Sequence, residues 1–493
     1  MNKKTLLKNR AGRKRNAARE GRARPAEPAH GALADLTAAI APAVLHRVVR
    51  EQKWLAPSIA LALADRGKTT AASRASIARS LGALLRWWGW IEPLHLGRIE
   101  EQLLLAWLLE SPEINAVARV WAERARLRPD SLVPVGDAPN WTGRAEGLKR
   151  WLGARAVNAD PWMLFPAWLR DELPVPPGVA TPKVRRLEFL AALQARPPLW
   201  LGVRGADEKT IWNALREAGL KPWIHRRLTS AAKLPAETDL SRLDDYGAGR
   251  LVVQDIASQA IAVACDPDPG ERWWDVSGEA GLIGQQLASH MKGRGVVVCT
   301  FEQARRRHEA ALRLRGGPLH NVSTKLWDGR HAPGKAASFD GVVLDAVCSG
   351  VGTWRRHPDA RWTVTAPMIA KLAERQRQQL DVICGAIRPG GTLVYTVATV
   401  TRTETIAVME NFLRAHPEFH LDPFAHPLEE GTTSGMLQIW PQAQDGEARF
   451  VARMVRVPDA KPQNRAGARA KPKATQAAEP GHVSNQPSEP TES

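Results

Sequence analysis

A carboxylate and a thiol lie three residues apart, at Asp345 and Cys348, directly after the apolar run 342–344. Such an unbroken run of β-branched and apolar residues predicts a strand that a parallel sheet covers on both faces. Open α/β sheets bind their ligands at the carboxyl ends of such strands. A thiol there can act as a nucleophile, and a carboxylate can hold a substrate nitrogen. The competing interpretation is an ordinary strand end followed by a solvated loop.

Cations and flat rings follow the thiol. Trp354, Arg355, Arg356 and Arg361 lie within fourteen residues of Cys348. Guanidinium groups contact phosphates, and indole rings stack on unpaired bases. We therefore predict that these four side chains bind RNA.

Composition favours a polyanionic partner. The 493 residues carry a formal net charge of +18, which favours nucleic acid as a partner, although a general solubility effect would give the same charge. The four cysteines contain no CxxC pair, which argues against a disulfide framework or a metal site and favours a reducing cytoplasm. No apolar run has the ~18 residues of a membrane-spanning helix, and no signal peptide is evident, so we expect no membrane association.

The chain divides into five predicted regions. Residues 1–30 form a basic arm with little to bury, and residues 458–493 form a second disordered region. Apolar residues recur at helical spacing between 31 and 165, which predicts a helical bundle. A proline-rich linker and a β-α-β pattern occupy 166–250. From 251 to 457 strands and helices alternate, which predicts an α/β fold with a doubly wound, mainly parallel sheet.

The segment 339–362, FDGVVLDAVCSGVGTWRRHPDARW, resembles the loop DAPCSGxGTWRRNPDARW of the Sun/Fmu (RsmB-type) family of S-adenosylmethionine-dependent RNA (cytosine-5) methyltransferases. Val347 stands where the family has proline. The resemblance extends from about residue 35 to residue 457. It implies a Rossmann-like methyltransferase domain, preceded by an RRM-like α+β subdomain at 166–250 and an all-α NusB-like domain at 31–165. It also implies a monomeric cytoplasmic protein whose RNA is ribosomal.

The family's cofactor turn DLCAGPGGKT aligns with DVSGEAGLIG at 275–284. Side chains at Glu279 and Leu282 replace glycines, and Phe301 replaces the acid that ends the second strand, so we expect a crowded or altered cofactor site. The resemblance implies a set of S-adenosylmethionine-binding residues: Asp275, Ser277, Gly278, Gly281, Glu302, Asp328 and Asp345.

The family strand LVYxTCS aligns with LVYTVATV at 393–400 and puts Ala398 at the position of the attacking cysteine. An alanine methyl cannot add to cytosine C6. In the family the cysteine at the position of Cys348 helps release product, whereas DNA cytosine-5 methyltransferases use it as the attacking group. Two hypotheses follow. The first is an RNA methyltransferase that works through Cys348 and Asp345. The second is a catalytically degenerate paralogue that binds RNA as a ribosome-assembly factor through the basic arm, Arg355, Arg356 and Arg361.

Overall fold

The structure is a computed structural model that describes residues 30–67, 69–111, 113–127, 141–152, 159–276, 281–315 and 317–458. The predicted basic arm and almost all of the predicted C-terminal tail therefore lie outside the described residues. The chain begins with helices: α1 (His30–Leu45), α2 (Leu55–Ala62), α3 (Ala71–Ile91), α4 (Ile99–Glu110), α5 (Ala116–Arg124), α6 (Trp141–Leu152), α7 (Leu169–Glu172) and α8 (Pro182–Gln194).

The helical region has its own apolar core. Helix α4 is buried on nearly every side, because all seven residues from 103 to 109 are inaccessible to solvent. Such a helix forms the centre of a bundle rather than an amphipathic surface element. Helix α1 and a following turn of π-helix span His30–Arg50, a stretch long and apolar enough to cross a membrane by composition alone. Its residues Ile40, Val44 and Val48 lie in this helical core.

A four-stranded antiparallel sheet follows the helices, with strand order β2-β3-β1-β4. Its elements alternate as β-α-β-β-α-β: β1 (Leu199–Val203), α9 (Glu208–Glu217), β2 (Trp223–Ile224), β3 (Ala231–Leu234), α10 (Asp244–Gly247) and β4 (Leu251–Val253). Strand β1 lies in the middle and pairs with both β3 and β4. Strand β2 is at the edge and pairs with β3.

The rest of the chain forms an eight-stranded sheet with order β10-β12-β9-β8-β5-β6-β7, and β11 pairs with β12. Its elements are α11 (Ile256–Cys265), β5 (Arg272–Val276), α12 (Leu282–His290), β6 (Val296–Phe301), α13 (Ala304–Arg315), β7 (Val322–Leu326), β8 (Phe339–Asp345), α14 (Ala360–Thr363), α15 (Ala366–Cys384), β9 (Ile387–Val397), α16 (Ile406–Ala415), β10 (Phe419–Leu421), β11 (Met436–Ile439), α17 (Pro441–Gln444) and β12 (Arg449–Arg456).

Strands β5 to β9 of this sheet are parallel, and β12 is antiparallel to β9. The predicted doubly wound sheet is therefore confirmed. Strand β8 is its centre: Val342, Val343 and Leu344 are at most 1% exposed, because apolar side chains cover both faces of the sheet. The order reverses between β5 and β8, since the chain moves outward to β6 and β7 on one side and to β9 on the other. Such a reversal creates a crevice at the carboxyl ends of the strands.

Candidate active site

A cavity of about 260 Å³ opens at the carboxyl ends of β5, β6 and β8, at the reversal of strand order. Its walls include Phe301, Glu302 and Trp327 on one side and Asp345 and Val347 on the other. It therefore combines two flat apolar side chains with two carboxylates. The cavity lies at the carboxyl ends of the parallel strands, where the sequence predicted a ligand site.

Glu302 directly follows β6, and its carboxylate lines the cavity. The same carboxylate accepts hydrogen bonds from Arg375 Nη2 and, at 3.1 Å, from Gln379 Nε2, both on α15. A ligand that hydrogen-bonds to the Glu302 carboxylate must therefore displace the Arg375 guanidinium from it. Because Glu302 and Arg375 are both partly exposed, this exchange costs little.

Two other predicted cofactor residues, Asp275 and Gly281, adjoin the cavity residues Val276 and Phe301. Asp275 is fully buried, and its Oδ2 accepts a hydrogen bond from the Gly284 N–H at 2.8 Å, so it fixes the start of α12. Gly281 caps that helix with φ of 77°, a left-handed conformation that favours glycine. The turn residues Ser277, Gly278 and Glu279 lie outside the described residues. Leu282, which we expected to crowd the site, is half-buried and is not among the cavity-lining residues.

Asp328 faces solvent instead of the cavity. Its Oδ1 accepts hydrogen bonds from the N–H groups of Arg330 at 2.8 Å and His331 at 2.9 Å, and its Oδ2 lies 2.6 Å from His331 Nδ1. The contact with the His331 ring is the main reason why the pKa of Asp328 lies well below its usual range, and the two N–H groups lower this pKa further. The neighbouring Trp327 supplies the cavity wall.

Asp345 is buried in an ion pair with Arg449. The guanidinium donates from Nη1 to Asp345 Oδ1 at 2.7 Å, and both side chains are less than a tenth exposed. Arg449 begins β12, so an element about a hundred residues later in the chain fixes this carboxylate at the cavity wall. The sequence reasoning missed Arg449, because nothing in RFVARMVR distinguishes it from the other arginines of that strand.

Cys348 is half-buried in a loop that a buried carboxylate holds in place. Glu404 Oε1 accepts hydrogen bonds from the Ser349 N–H at 2.8 Å and from Gln376 Nε2 at 3.2 Å, and Gln376 also donates to Val347 O at 3.0 Å. Burial, and then the nearby Glu404, raise the pKa of the Cys348 thiol well above its usual range. The thiol is therefore protonated at neutral pH. Burial also raises the pKa of Glu404.

Ala398, at the family's nucleophile position, lies beside the Cys348 loop. The Gly352 N–H donates to Ala398 O at 3.0 Å, and the hydroxyl oxygens of Ser349 and Thr399 are 2.9 Å apart. The segments that carry the family's two cysteine positions are thus adjacent. Of the two positions, the one on the Asp345 loop carries the thiol, at Cys348.

The predicted RNA contact of Arg355 needs correction. Its side chain is 3% exposed. Its guanidinium donates to Ala195 O at 3.1 Å, to Gly446 O at 2.9 Å and to Asp445 Oδ1 at 2.9 Å. Arg355 therefore joins the end of α8 to the segment before β12, and its donors are not directed at a ligand.

Arg356 is held similarly. It donates from Nε to Glu447 Oε1 at 2.8 Å and from Nη2 to Asp255 Oδ2 at 3.1 Å. Burial lowers its pKa, but the two carboxylates outweigh burial, so the pKa of Arg356 lies above its ordinary value. A guanidinium held by two acids is a structural ion pair rather than a phosphate contact.

Arg361 and Trp354 are also internal. Arg361 is 1% exposed and donates to Gln194 Oε1 at 2.6 Å and to Leu193 O at 2.8 Å. Trp354 is fully buried, with Phe165 stacked on it at 6.3 Å between ring centroids and Trp168 edge-on at 5.8 Å. The residues after Cys348 thus join the helical region to the sheet, since the expected exposed surface is covered by α8 and by 164–169.

Comparisons with known proteins agree with this geometry. Residues 262–455 match the family model described as 16S rRNA methyltransferase RsmB/F. The chain is 29% identical over 306 residues to ribosomal RNA small subunit methyltransferase B of Salmonella paratyphi B, covering 61% of this chain and 68% of that protein. It is 30% identical over 298 residues to the protein of the same name from Klebsiella pneumoniae, covering 59% of this chain and 66% of that protein.

The fold also resembles the solved structure of PH0851, with a TM-score of 0.63 and 21% identity, over 88% of this chain and all of that one. The parallel sheet, its reversed strand order and the cavity define the C-terminal half as a Rossmann-like methyltransferase domain. With the sequence matches, the chain belongs to the Sun/Fmu (RsmB-type) family of RNA methyltransferases. The predicted family is confirmed.

Proposed function

We propose that this protein is an S-adenosylmethionine-dependent RNA (cytosine-5) methyltransferase that acts on ribosomal RNA. One observation supports this proposal most directly. Asp345 lines the cavity at the reversal of strand order, and Cys348 lies three residues further along the same loop. A thiol and a carboxylate beside a cofactor-sized cavity are the groups that pyrimidine C5 chemistry needs.

The cavity suits the adenosine part of the cofactor. Glu302 would accept hydrogen bonds from the ribose hydroxyls, as the acid after a second strand does in related nucleotide sites. Phe301 and Trp327 offer apolar walls to a flat ring. S-adenosylmethionine, when bound, supplies an activated methyl group. The proposal extends to the turn residues Ser277 and Gly278 and to Gly281, but Asp275 and Asp328 would support the site without contacting the ligand.

The protein's own residues would prepare the pyrimidine. The Cys348 thiol would pass its proton through the Asp345 carboxylate to cytosine N3 as its sulfur adds to C6. After C5 has been methylated, transfer of the C5 proton to a base and of the N3 proton back to Asp345 would break the C6–S bond and restore the C5–C6 double bond. Asp345 holds the ring at N3. Since the pKa of Cys348 is raised by burial and by Glu404, deprotonation must accompany RNA binding. Extrusion of the base against the Cys348 loop, beside the cavity, would bring the required polar contacts to this loop.

The second candidate is an RNA-binding assembly factor without methyl transfer. Ala398 at the family's nucleophile position and the raised pKa of the Cys348 thiol favour it. The sequence matches to ribosomal RNA methyltransferases favour the enzyme, which is why we place it first.

The predicted division into domains is part of the same proposal. The β-α-β-β-α-β order with β1 and β3 in the centre supports the RRM-like subdomain predicted at 166–250, with its boundary moved three residues on to include β4 at Leu251–Val253. The helical core supports a NusB-like domain at 31–165. A basic arm at 1–30 and a tail at 458–493 would flank a monomeric cytoplasmic enzyme.

RNA that contains 5-fluorocytosine separates the two candidates. The fluorine blocks removal of the C5 substituent, so an active enzyme stays covalently bound and migrates with the labelled methyl group on a denaturing gel. We expect an adduct that is lost in Cys348→Ala and retained in the control Cys384→Ala. Ala398→Cys should restore an adduct in the Cys348→Ala background. Absence of both adduct and cofactor binding, with RNA still bound in a salt-dependent way, would instead establish the second candidate.

A further inference from the structure

An exposed indole lies at the edge of the four-stranded sheet. Trp223 is 49% exposed on β2, and Lys221, Arg226 and Arg227, within four residues of it in the sequence, are exposed as well. Lys233 of β3 lies opposite Trp223 in the strand register. We call these five residues the β2 patch. It combines one large ring with four cations within thirteen residues of sequence.

The indole of Trp223 is held in place on its inner side. Its ring meets Trp200 edge-on at 6.1 Å and His225 edge-on at 6.0 Å between centroids. Lys233 Nζ lies 4.9 Å from the Trp223 centroid. A ring fixed by such contacts loses little conformational freedom when a ligand stacks on it.

Within the part of the chain that the structure describes, the outer cations of the patch form no ion pair. Among the described residues, no carboxylate forms an ion pair with Lys221, Arg226 or Arg227, whereas Lys233 pairs with Asp445 at 2.8 Å. Four cations around one carboxylate leave the patch with an excess of positive charge. Unpaired cations beside an exposed ring are the arrangement with which proteins bind single-stranded nucleic acid.

We propose that the β2 patch binds a single-stranded segment of the RNA substrate, with one unpaired base stacked on Trp223. The cations Lys221, Arg226 and Arg227 contact the adjoining phosphates. A chain with a net charge of +18 favours RNA over a protein partner at this surface. The inference rests on the proposed function for the identity of the ligand.

The patch is connected to the active-site loop. Asp445 accepts hydrogen bonds from Lys233 Nζ at 2.8 Å and from Arg355 Nη2 at 2.9 Å. Arg355 lies seven residues after Cys348 in the same segment. Since Arg355 and Arg361 are buried and Arg356 is held by two carboxylates, the β2 patch provides the cations that those residues do not offer.

The proposal can be tested by fluorescence anisotropy. The assay measures how a fluorescein-labelled twelve-nucleotide single-stranded RNA binds to the full-length protein at two salt concentrations. Trp223→Ala should weaken binding between about 5-fold and about 100-fold, the effect of removing one base–aromatic stack. Trp223→Phe should restore most of the affinity. The double variant Arg226→Gln/Arg227→Gln should reduce the slope of log affinity against log salt by about 0.7 for each phosphate that the variant no longer neutralises.

A matched control is Lys292→Gln/Arg294→Gln, which removes two exposed cations from the loop before β6, at the amino-terminal end of the parallel sheet. It should leave the affinity and the salt slope unchanged. The proposal that the β2 patch binds RNA would be overturned if the control variant and the Arg226/Arg227 variant had equal effects on RNA binding. It would also be overturned if Trp223→Ala, with a native circular dichroism spectrum, bound RNA as tightly as the wild type. If wild-type protein binds no RNA at all, the proposed function fails as well.

Discussion

Replacement of Arg361 by methionine tests whether the residues after Cys348 hold the protein together or contact RNA. Methionine keeps most of the apolar volume while removing the guanidinium. Arg361 lies among acceptors from α3, α8 and the segment before α7, and it stacks over Phe165 at 4.5 Å. We therefore expect Arg361→Met to destabilise the fold without changing RNA affinity.

The magnitude follows from the two short hydrogen bonds of Arg361. Their acceptors, Gln194 Oε1 at 2.6 Å and Leu193 O at 2.8 Å, would be left buried without this donor. Each such group costs ~1–3 kcal/mol. Replacement also recovers the cost of burying the guanidinium, which is the main cause of its lowered pKa. We expect a net loss of ~2 kcal/mol and a decrease in Tm of about 5 °C.

Thermal unfolding by circular dichroism and RNA anisotropy at 20 °C measure the two effects separately. The control is Arg305→Met, since Arg305 is 89% exposed on α13 and its replacement should change stability by less than ~0.5 kcal/mol. An unchanged Tm together with weakened RNA binding in Arg361→Met would refute the assignment of Arg361 to the interior.

Three further results are expected. Because the pKa of the Cys348 thiol is raised, iodoacetamide at pH 8 should alkylate its peptide far more slowly in native than in unfolded protein, as followed by mass spectrometry; equal rates would contradict the burial argument. Arg375→Gln should tighten S-adenosylmethionine binding up to about 5-fold in calorimetry, because the cofactor no longer displaces a surface pair worth ~0.2–1 kcal/mol from Glu302; weaker binding would show that Arg375 itself holds the ligand. Burial lowers the pKa of Arg204 to about 9. The folded state therefore releases this proton before the unfolded chain does, so urea stability relative to Arg204→Met should rise between pH 8 and pH 10. A constant difference would mean that Arg204 does not titrate there.

The strands of the catalytic domain could be predicted closely from the sequence. The alternation of strands and helices predicted for 251–457 is found there, from β5 at Arg272–Val276 to β12 at Arg449–Arg456. Parallel strands buried on both faces need continuous apolar runs, and such runs are visible locally. The doubly wound sheet and the position of Asp345 at the carboxyl end of a strand followed from the same reasoning.

The burial of Arg355 and Arg361 and their hydrogen-bond partners could not be predicted in this way. Arg355 and Arg361 donate to carbonyls of Ala195 and Leu193, more than 150 residues earlier in the chain. Helix ends leave such carbonyls without partners inside the helix, so a distant donor can satisfy them. Nothing within 354–361 reveals that the end of α8 will lie there. Composition alone therefore suggested exposed cations.

Helix α15 links the two halves of the site. Arg375 binds the carboxylate of Glu302 in the cavity, and the next residue, Gln376, donates to Val347 O and Glu404 beside Cys348. A ligand that separates Glu302 from Arg375 therefore acts on the helix that holds the Cys348 loop. We expect S-adenosylmethionine and single-stranded RNA to alter each other's affinity by the same factor, since coupling between binding sites is reciprocal. Gln376→Leu removes the hydrogen bonds to the loop. In calorimetric titrations of either ligand in the presence of the other, the coupling factor of this variant should fall toward one. A factor equal to that of the wild type would place the coupling outside α15.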